Sequence, residues 1–412
     1  MHQPDRSTST KIRMISYDAV ISGAGPAGCS AALFLARRGR KVLLLEKERF
    51  PRDKVCGDGI TSVSSVLLDE MGVMDIVRQR AVQPPVFKGV TIYSPTGAVV
   101  NGKFSEQRCS AGVACVIPRK ILDDCIAAKV KENPSITFLE NTAVNDLVMR
   151  GNRVSVVGTS KGEFAGRVVI AADGFYSPIA SRLNLKNSLK THQGFAIRAY
   201  FSQVEGLTDS IELHYDKSML PGYGWIFPAG HGRANIGVGV ITRFKDQRGL
   251  KRLFERFVSE SAMASEMLRN AVIEPGTLRA WPLPLGSFQG RRGVGNVLLA
   301  GDAGSFVDPL TGEGIYYALK SGQLAAESAA RALNADDATA AAALYEKLWR
   351  KAFQFHDFTV GYALQTLLNN EYILESLMQF AARKQTRADL LADVIGHNCK
   401  KIELLKLIVP FF

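Results

Sequence analysis

Cys56 opens a Cys56-Gly57-Asp58-Gly59 turn, and a thiol there can give or take a proton. An ordinary thiol, with a pKa near ~8.5, is protonated at neutral pH and can act as a general acid. Cysteine is also common as buried filler, and a small packing residue in a tight turn has the same pattern. Tyr223, Trp225 and Phe227 alternate along an extended run that ends at Pro228. Alternation puts the three rings on one face of a strand, which suits either a flat apolar ligand or a core. Gly23-Ala24-Gly25-Pro26-Ala27-Gly28 offers chemistry of a third kind. Its first glycine permits a tight turn, its second lets a pyrophosphate approach the backbone, and its third lets helix pack on strand. The phosphate then sits at the positive end of the helix. Glu46, eighteen residues after Gly28, stands where a carboxylate would hydrogen-bond an adenosine ribose.

Particular elements must hold these residues. The apolar run from Ile15 to Ser22 reads as a buried parallel strand, residues 26–38 as a helix with Pro26 in its first turn, and 41–46 as a second strand. Together they make one βαβ unit. Pro118 opens a helix over 118–132, and strands follow near 136–140 and 153–159. Two further buried runs end in glycine turns, VVIAADG at 168–174 and NVLLAGDAG at 296–304. They present Asp173-Gly174 and Gly301-Asp302. A strand-end aspartate can hydrogen-bond a ribityl hydroxyl, and a following helix start can face the electron-rich side of an isoalloxazine ring. Each Asp-Gly pair taken alone is also an ordinary turn, and Asp302 an ordinary cap. Residues 86–104 read as a hairpin, 190–242 as antiparallel strands, 247–270 as helix, and 312–384 as mostly helix. The expected fold is α/β in a two-domain α+β arrangement. Segments 14–85, 107–187 and 276–340 make a discontinuous dinucleotide-binding domain. Segments 86–106 and 188–275 make a β-rich domain, and 341–412 a C-terminal helical part.

Composition narrows the function classes. With 412 residues, 46% hydrophobic and 22% charged, the chain is neither disordered, collagenous nor a disulfide scaffold. Lys plus Arg is 51 against 39 acidic residues, a net charge of +12 that favours anionic partners. No Lys/Arg run reaches five residues, so no nucleic-acid partner is expected. Cysteines at 29, 56, 109, 115, 125 and 399 include no C-x-x-C pair, which excludes zinc-finger and thioredoxin readings and suggests a reduced, cytoplasmic compartment. The six histidines show no ligand spacing, so no metal site is expected. No run of eighteen apolar residues offers a membrane span. The tail KKIELLKLIVPFF, 400–412, is basic at its start and apolar at its end. It fits peripheral contact with an anionic inner membrane face, packing on the protein's own core, or a dimer contact. The oligomeric state is left open.

The order and spacing of the three glycine turns resemble the flavoprotein group typified by para-hydroxybenzoate hydroxylase, in which they bind FAD. That resemblance implies a Rossmann-type FAD-binding domain interleaved with an antiparallel β-sheet substrate domain. It assigns Gly23, Gly25, Pro26, Ala27, Gly28, Glu46, Lys47, Arg119, Asp173, Gly174, Gly301, Asp302, Pro309, Gly312, Gly314 and Ile315 to the cofactor. Three stretches narrow it: EKERFPRDKVCGDGI at 46–60, PGYGWIFPAG at 221–230 and DPLTGEGIYYALKSG at 308–322. They resemble the geranylgeranyl reductase family, which reduces isolated double bonds of prenyl chains in lipids and quinones. The resemblance covers roughly residues 15–330. It implies Cys56, Gly57, Tyr223 and Trp225 at the reaction centre and Tyr223, Trp225, Phe227 and Pro228 against a lipophilic substrate. The outside reductant is then NADPH, NADH or a ferredoxin. An isolated alkene accepts hydride poorly, so an acid must stand beside the hydride donor, and Cys56 is the candidate. Three alternatives remain at this level: a monooxygenase, a halogenase and a non-catalytic flavin-binding protein. Tyr223 stands where halogenases of the group place the first of two tryptophans, which counts against halogenation.

Overall fold

The strand Ser16–Ser22 is apolar on both faces, and it lies in the interior of an eight-stranded sheet. Val42–Leu45 pairs parallel to it on one side and Gly162–Ala171 on the other. Ile136–Leu139 and Val297–Leu299 extend the parallel set outward. The computed structural model that shows this describes residues 16–80, 84–106, 112–151, 153–242 and 249–408. Strands far apart in sequence thus meet in one parallel core, as buried parallel strands must when helices cover both faces. The helix Pro26–Ala36 is buried along its whole length. It packs on the long helix Ile315–Asn334, to which Ser30 Oγ donates a 2.7 Å bond at the Leu319 carbonyl.

A second eight-stranded sheet is largely antiparallel. Its order is Val272–Ile273, Gln193–Ser202, Arg233–Ile241, Tyr223–Gly230, Ser210–His214, Gly89–Tyr93 and Val99–Lys103. The hairpin expected at 86–104 therefore joins strands more than a hundred residues later, through parallel pairing of Gly89–Tyr93 with Ser210–His214. Arg279–Pro284 also pairs here, with Gln193–Ser202. The sequence grouped it with the dinucleotide-binding segments, but its hydrogen bonds belong to this sheet.

The C-terminal part is helical, with Glu371–Ala382 and Gln385–Ile395 laid on the Gly89–Lys103 hairpin. Asp389 and Asp393 accept the backbone N–H groups of Lys103 and Ser105 at 2.8 and 3.0 Å. Leu404, Leu407 and Ile408 are buried in the same apolar cluster. Lys401, 2% exposed, pairs with the fully buried Asp308 at 2.5 Å and with Asp357 at 3.3 Å. Of the three fates open to 400–412, the described part takes core packing. Its apolar side chains find an apolar surface on the chain itself, and Lys401 finds two carboxylates. Residues 409–412 lie outside the described residues. Among those described, no helix is long and apolar enough to cross a membrane.

Breaking a buried ion pair from one side strands the other charge, at a cost of about 3–5 kcal/mol. Lys401→Met should therefore lower the melting temperature by several degrees. An unchanged melting curve would mean that the Lys401–Asp308 pair contributes nothing to stability.

Candidate active site

The glycine turn at the end of Ser16–Ser22 is built by contact. A Cβ on Gly28 would stand 1.8 Å from the Gly23 carbonyl, so only glycine allows this helix to sit on this strand. Gly23 has φ +93°, a region that side chains disfavour. Glu46, expected at a ribose, also holds the turn itself. Its Oε2 accepts the Ala24 N–H at 2.9 Å, and its Oε1 accepts that of Glu48 at 3.1 Å. Arg119 makes a two-point contact with Asp123, at 2.6 and 2.8 Å, and Arg52 adds a third bond to Asp123 at 2.8 Å. Burial opposes ionisation of Asp123, but Arg119 and Arg52 outweigh it and hold that carboxyl below the usual range.

Asp173 follows the strand Gly162–Ala171 and accepts the Ser22 hydroxyl at 3.0 Å through Oδ2. Its Oδ1 is buried with no partner. Burial pushes the carboxyl up to about 6, against the hydroxyls of Ser177 and Ser22. Asp302, in the turn Gly301–Gly304, faces Lys54 Nζ at 3.4 Å. Lys54 also lies 4.3 Å over the Trp281 ring, and burial lowers its pKa against the pull of Asp302. An orphaned carboxylate oxygen, a glycine turn at a helix start and fixed cations around one void fit a dinucleotide with a flavin ring.

One cavity of about 930 Å³ runs past all of these groups. Gly23, Gly25, Pro26, Ala27, Glu46, Lys47, Arg119, Asp173, Gly174, Gly301 and Asp302 line one part of it. Pro309, Gly312, Gly314 and Ile315 line it as well, as do Cys56 and Gly57. Tyr223, Trp225 and Phe227 form a wall there, with successive ring centroids 6.4 and 6.2 Å apart. Tyr223 donates its hydroxyl to the Thr311 carbonyl, and Trp225 donates Nε1 to Asn235 Oδ1 at 3.0 Å. The C-terminal helices add lining that is apolar at Leu377, Met378, Leu391, Ile395 and Leu404 and polar at Gln365. Two assigned residues do not reach the cavity. Gly28 is spent on the helix–strand contact. Pro228, expected against substrate, points to the opposite side of the strand from Phe227, as alternation requires.

Three features of the site were not read from the sequence as site residues. Asp58 is fully buried at φ +67°, and it accepts the Tyr200 hydroxyl, Asn235 Nδ2 at 2.7 Å and the Arg119 N–H at 3.2 Å. Glu313 lines the cavity at the start of Ile315–Asn334 and accepts the Tyr316 N–H at 2.7 Å. Burial pushes its carboxyl up to about 7. The apolar far end belongs to residues beyond 340, which carry no motif. Asp58 and Glu313 do lie inside recognisable stretches, so a carboxylate between glycines was the available signal.

Two sheets sharing a long cavity, with glycine turns at one end and grease at the other, define a flavoprotein oxidoreductase. The model of a family described as an FAD binding domain matches residues 16–346, and the chain belongs to that family, in its geranylgeranyl reductase group. It is 34% identical over 322 residues to a menaquinone reductase of Mycobacterium tuberculosis, covering 76% of each chain. It is 30% identical over 404 residues to a digeranylgeranylglycerophospholipid reductase of Methanocaldococcus jannaschii, covering 95% of this chain and 94% of the relative. A geranylgeranyl bacteriochlorophyll reductase-like protein of Thermoplasma acidophilum shares the fold. The TM-score is 0.81 at 23% identity, covering 97% of this chain and 100% of that one. The protein is an FAD-dependent oxidoreductase.

Asp302→Ala should lower the flavin content of the purified protein, read from the visible absorbance per chain. Full FAD retention would remove Asp302 from the cofactor site. Glu313 supplies a pH test. A carboxyl whose folded pKa lies above its unfolded value stabilises the fold when protonated, and that contribution is lost as pH rises through about 7. Glu313→Gln stays neutral and keeps an acceptor for the helix start. Its melting temperature should exceed that of the wild type at pH 8 by more than it does at pH 5. Equal differences at both values would show that Glu313 does not titrate in this range.

Proposed function

We propose that this enzyme saturates carbon–carbon double bonds of a prenyl chain carried by a lipid or a quinone. The observation that carries the reading is the continuity of the cavity from the glycine turns, past Cys56, to an apolar end. The two relatives described above are named as reductases, one of menaquinone and one of a digeranylgeranylglycerophospholipid. FAD, when bound, supplies the hydride, and its electrons come from an outside nicotinamide or ferredoxin.

The chain's own residues supply everything else. The aromatic wall and the C-terminal helices hold the prenyl chain out of water, where burial of each methylene contributes about 0.8 kcal/mol. Cys56 lines the cavity beside Gly57, where a Cβ would meet the Phe227 ring at 3.1 Å, and the Arg119 charge acts on its sulfur. Burial raises its thiol above the usual range, although the Arg119 charge opposes this, so the sulfur carries a proton at neutral pH. The thiol gives that proton to one alkene carbon as hydride reaches the other, and the S–H electron pair stays on sulfur. The thiolate that remains has the Asp58 N–H at 3.3 Å and the Arg119 guanidinium nearby to stabilise it. A proton from solvent restores the thiol between turnovers. A substrate of this kind resides in a membrane, and a net charge of +12 favours an anionic surface. With the apolar side chains of 404–408 largely turned inward, that contact falls to exposed basic groups such as Lys400 and Lys406. Sedimentation with anionic liposomes checks it, and an unbound protein would remove the membrane contact.

The test of the reaction is a single turnover of dithionite-reduced enzyme with a polyprenyl lipid or menaquinone, read by product mass. A gain of two hydrogens without oxygen is the expected result. A gain of one oxygen atom, appearing only in air, would make the enzyme a monooxygenase. Cys56→Ser should slow alkene reduction at least tenfold while leaving reduction of the flavin unchanged. Equal turnover would show that the thiol is not the proton donor.

A further inference from the structure

Glycine adopts the left-handed backbone of position 58 without cost, so the turn itself does not require a carboxylate there. The chain nevertheless places one, fully buried, and surrounds it with donors from three other elements. Tyr200 comes from the strand Gln193–Ser202, Asn235 from Arg233–Ile241, and the Arg119 N–H from the helix Arg119–Lys131. Asn235 Nδ2 also donates to the Cys56 carbonyl at 2.8 Å, and the Asp58 N–H donates to the Cys56 sulfur. Two guanidinium groups lie over the Tyr200 ring, Arg198 at 4.6 Å and Arg233 at 4.0 Å from its centroid. Those cations are already matched, Arg198 by Asp53 and Arg233 by Glu274. Asp58 thus enters a site where the neighbouring charges are paired without it.

We propose that Asp58 is a positioning residue for Cys56: its carboxylate opposes the Arg119 guanidinium and keeps the Cys56 sulfur protonated, as a proton donor must be. The inference rests on the reductase reading for its purpose, but not for its physics. The charged groups that act on the sulfur are Arg119, which favours the thiolate, and Asp58 and Glu313, which oppose it. Lys54, paired with Asp302 at 3.4 Å, also feels the charge of the sulfur. Asp123 pairs with the Arg119 guanidinium at 2.6 Å and takes up much of its charge. Burial pushes Asp58 up to about 6, against the bonds from Tyr200 and Asn235. Above that pH the carboxylate is charged and resists formation of a second anion two residues away. With Asp58 neutralised, Arg119 acts unopposed from that side and the thiol becomes more acidic.

The experiment uses FAD-loaded, full-length enzyme and measures alkylation of Cys56 by iodoacetamide between pH 6 and 10, with the site read by peptide mass. Two variants are compared with wild type. Asp58→Asn keeps a residue tolerant of the left-handed backbone and removes only the charge. Asp58→Gly keeps the backbone and removes the whole carboxylate. Both should move the alkylation midpoint down by at least about one pH unit, which is about tenfold faster reaction at any pH below the two midpoints. A residue that merely supports the turn would change alkylation by the same factor at every pH, and an unmoved midpoint in either folded variant overturns the proposal. A shifted midpoint in an enzyme whose wild type reduces no prenyl substrate would uphold control of the thiol by Asp58 and overturn the reductase reading alone.

Discussion

A carboxylate cannot be left alone in a dry interior, and in this protein the pairing of buried carboxylates is what joins distant segments. Asp123 gathers Arg119 and Arg52, tying the helix Arg119–Lys131 to the stretch that follows the second strand. Asp308 gathers Lys401 and Tyr317, tying the end of the chain to the loop before the helix Ile315–Asn334. Asp53 takes Arg198, and Asp58 takes Tyr200 and Asn235, so the second sheet is held against the Cys56 turn. Apart from Arg119–Asp123, which lies within one helix, each pair spans a boundary between elements that apolar packing alone would leave free to slide.

These pins explain how a cavity of about 930 Å³ persists in a protein whose interior is otherwise close-packed. Its walls come from both sheets and from the C-terminal helices, and apolar surfaces facing across a void would close on each other if they could. Ion pairs and short side-chain bonds have fixed lengths and directions, so they hold the walls apart. The same arrangement sorts the cavity by chemistry. The charged groups collect near the glycine turns, where a dinucleotide has phosphates and hydroxyls to match. The apolar groups come largely from the C-terminal helices, at Leu377, Met378 and Leu391. Cys56 lines the cavity next to Gly57, where a Cβ would meet the Phe227 ring of the aromatic wall.

Charge is also rationed around that thiol. Three cavity carboxyls, Asp58, Asp173 and Glu313, are pushed upward by burial toward neutrality, whereas Asp123 and Asp308 are held ionised by full pairing. The first group responds to pH near neutrality and the second does not. A site that must deliver a proton needs titratable groups of the first kind, and a scaffold that must not move needs the second.

Much of this was legible in the sequence. The glycine turn, the strands around it and the aspartates at 173 and 302 are local patterns: a buried strand is apolar throughout, and a tight turn onto a helix demands glycine. The same holds for the alternation of Tyr223, Trp225 and Phe227, which share one face because strands have a period of two. That period also turns Pro228 away from the cavity, a consequence the sequence reading missed. What only the tertiary structure decided are the long-range matches. Arg279–Pro284 joined the second sheet because the free edge of Gln193–Ser202 was there to receive it. The tail folded inward because Asp308 lay within reach of Lys401, ninety-three residues away in sequence. Asp58 became a hub because three strangers in the sequence point donors at it. Backbone preferences and periodicity are written within a few residues, but the partner of a buried charge is set by which segments the completed fold brings together.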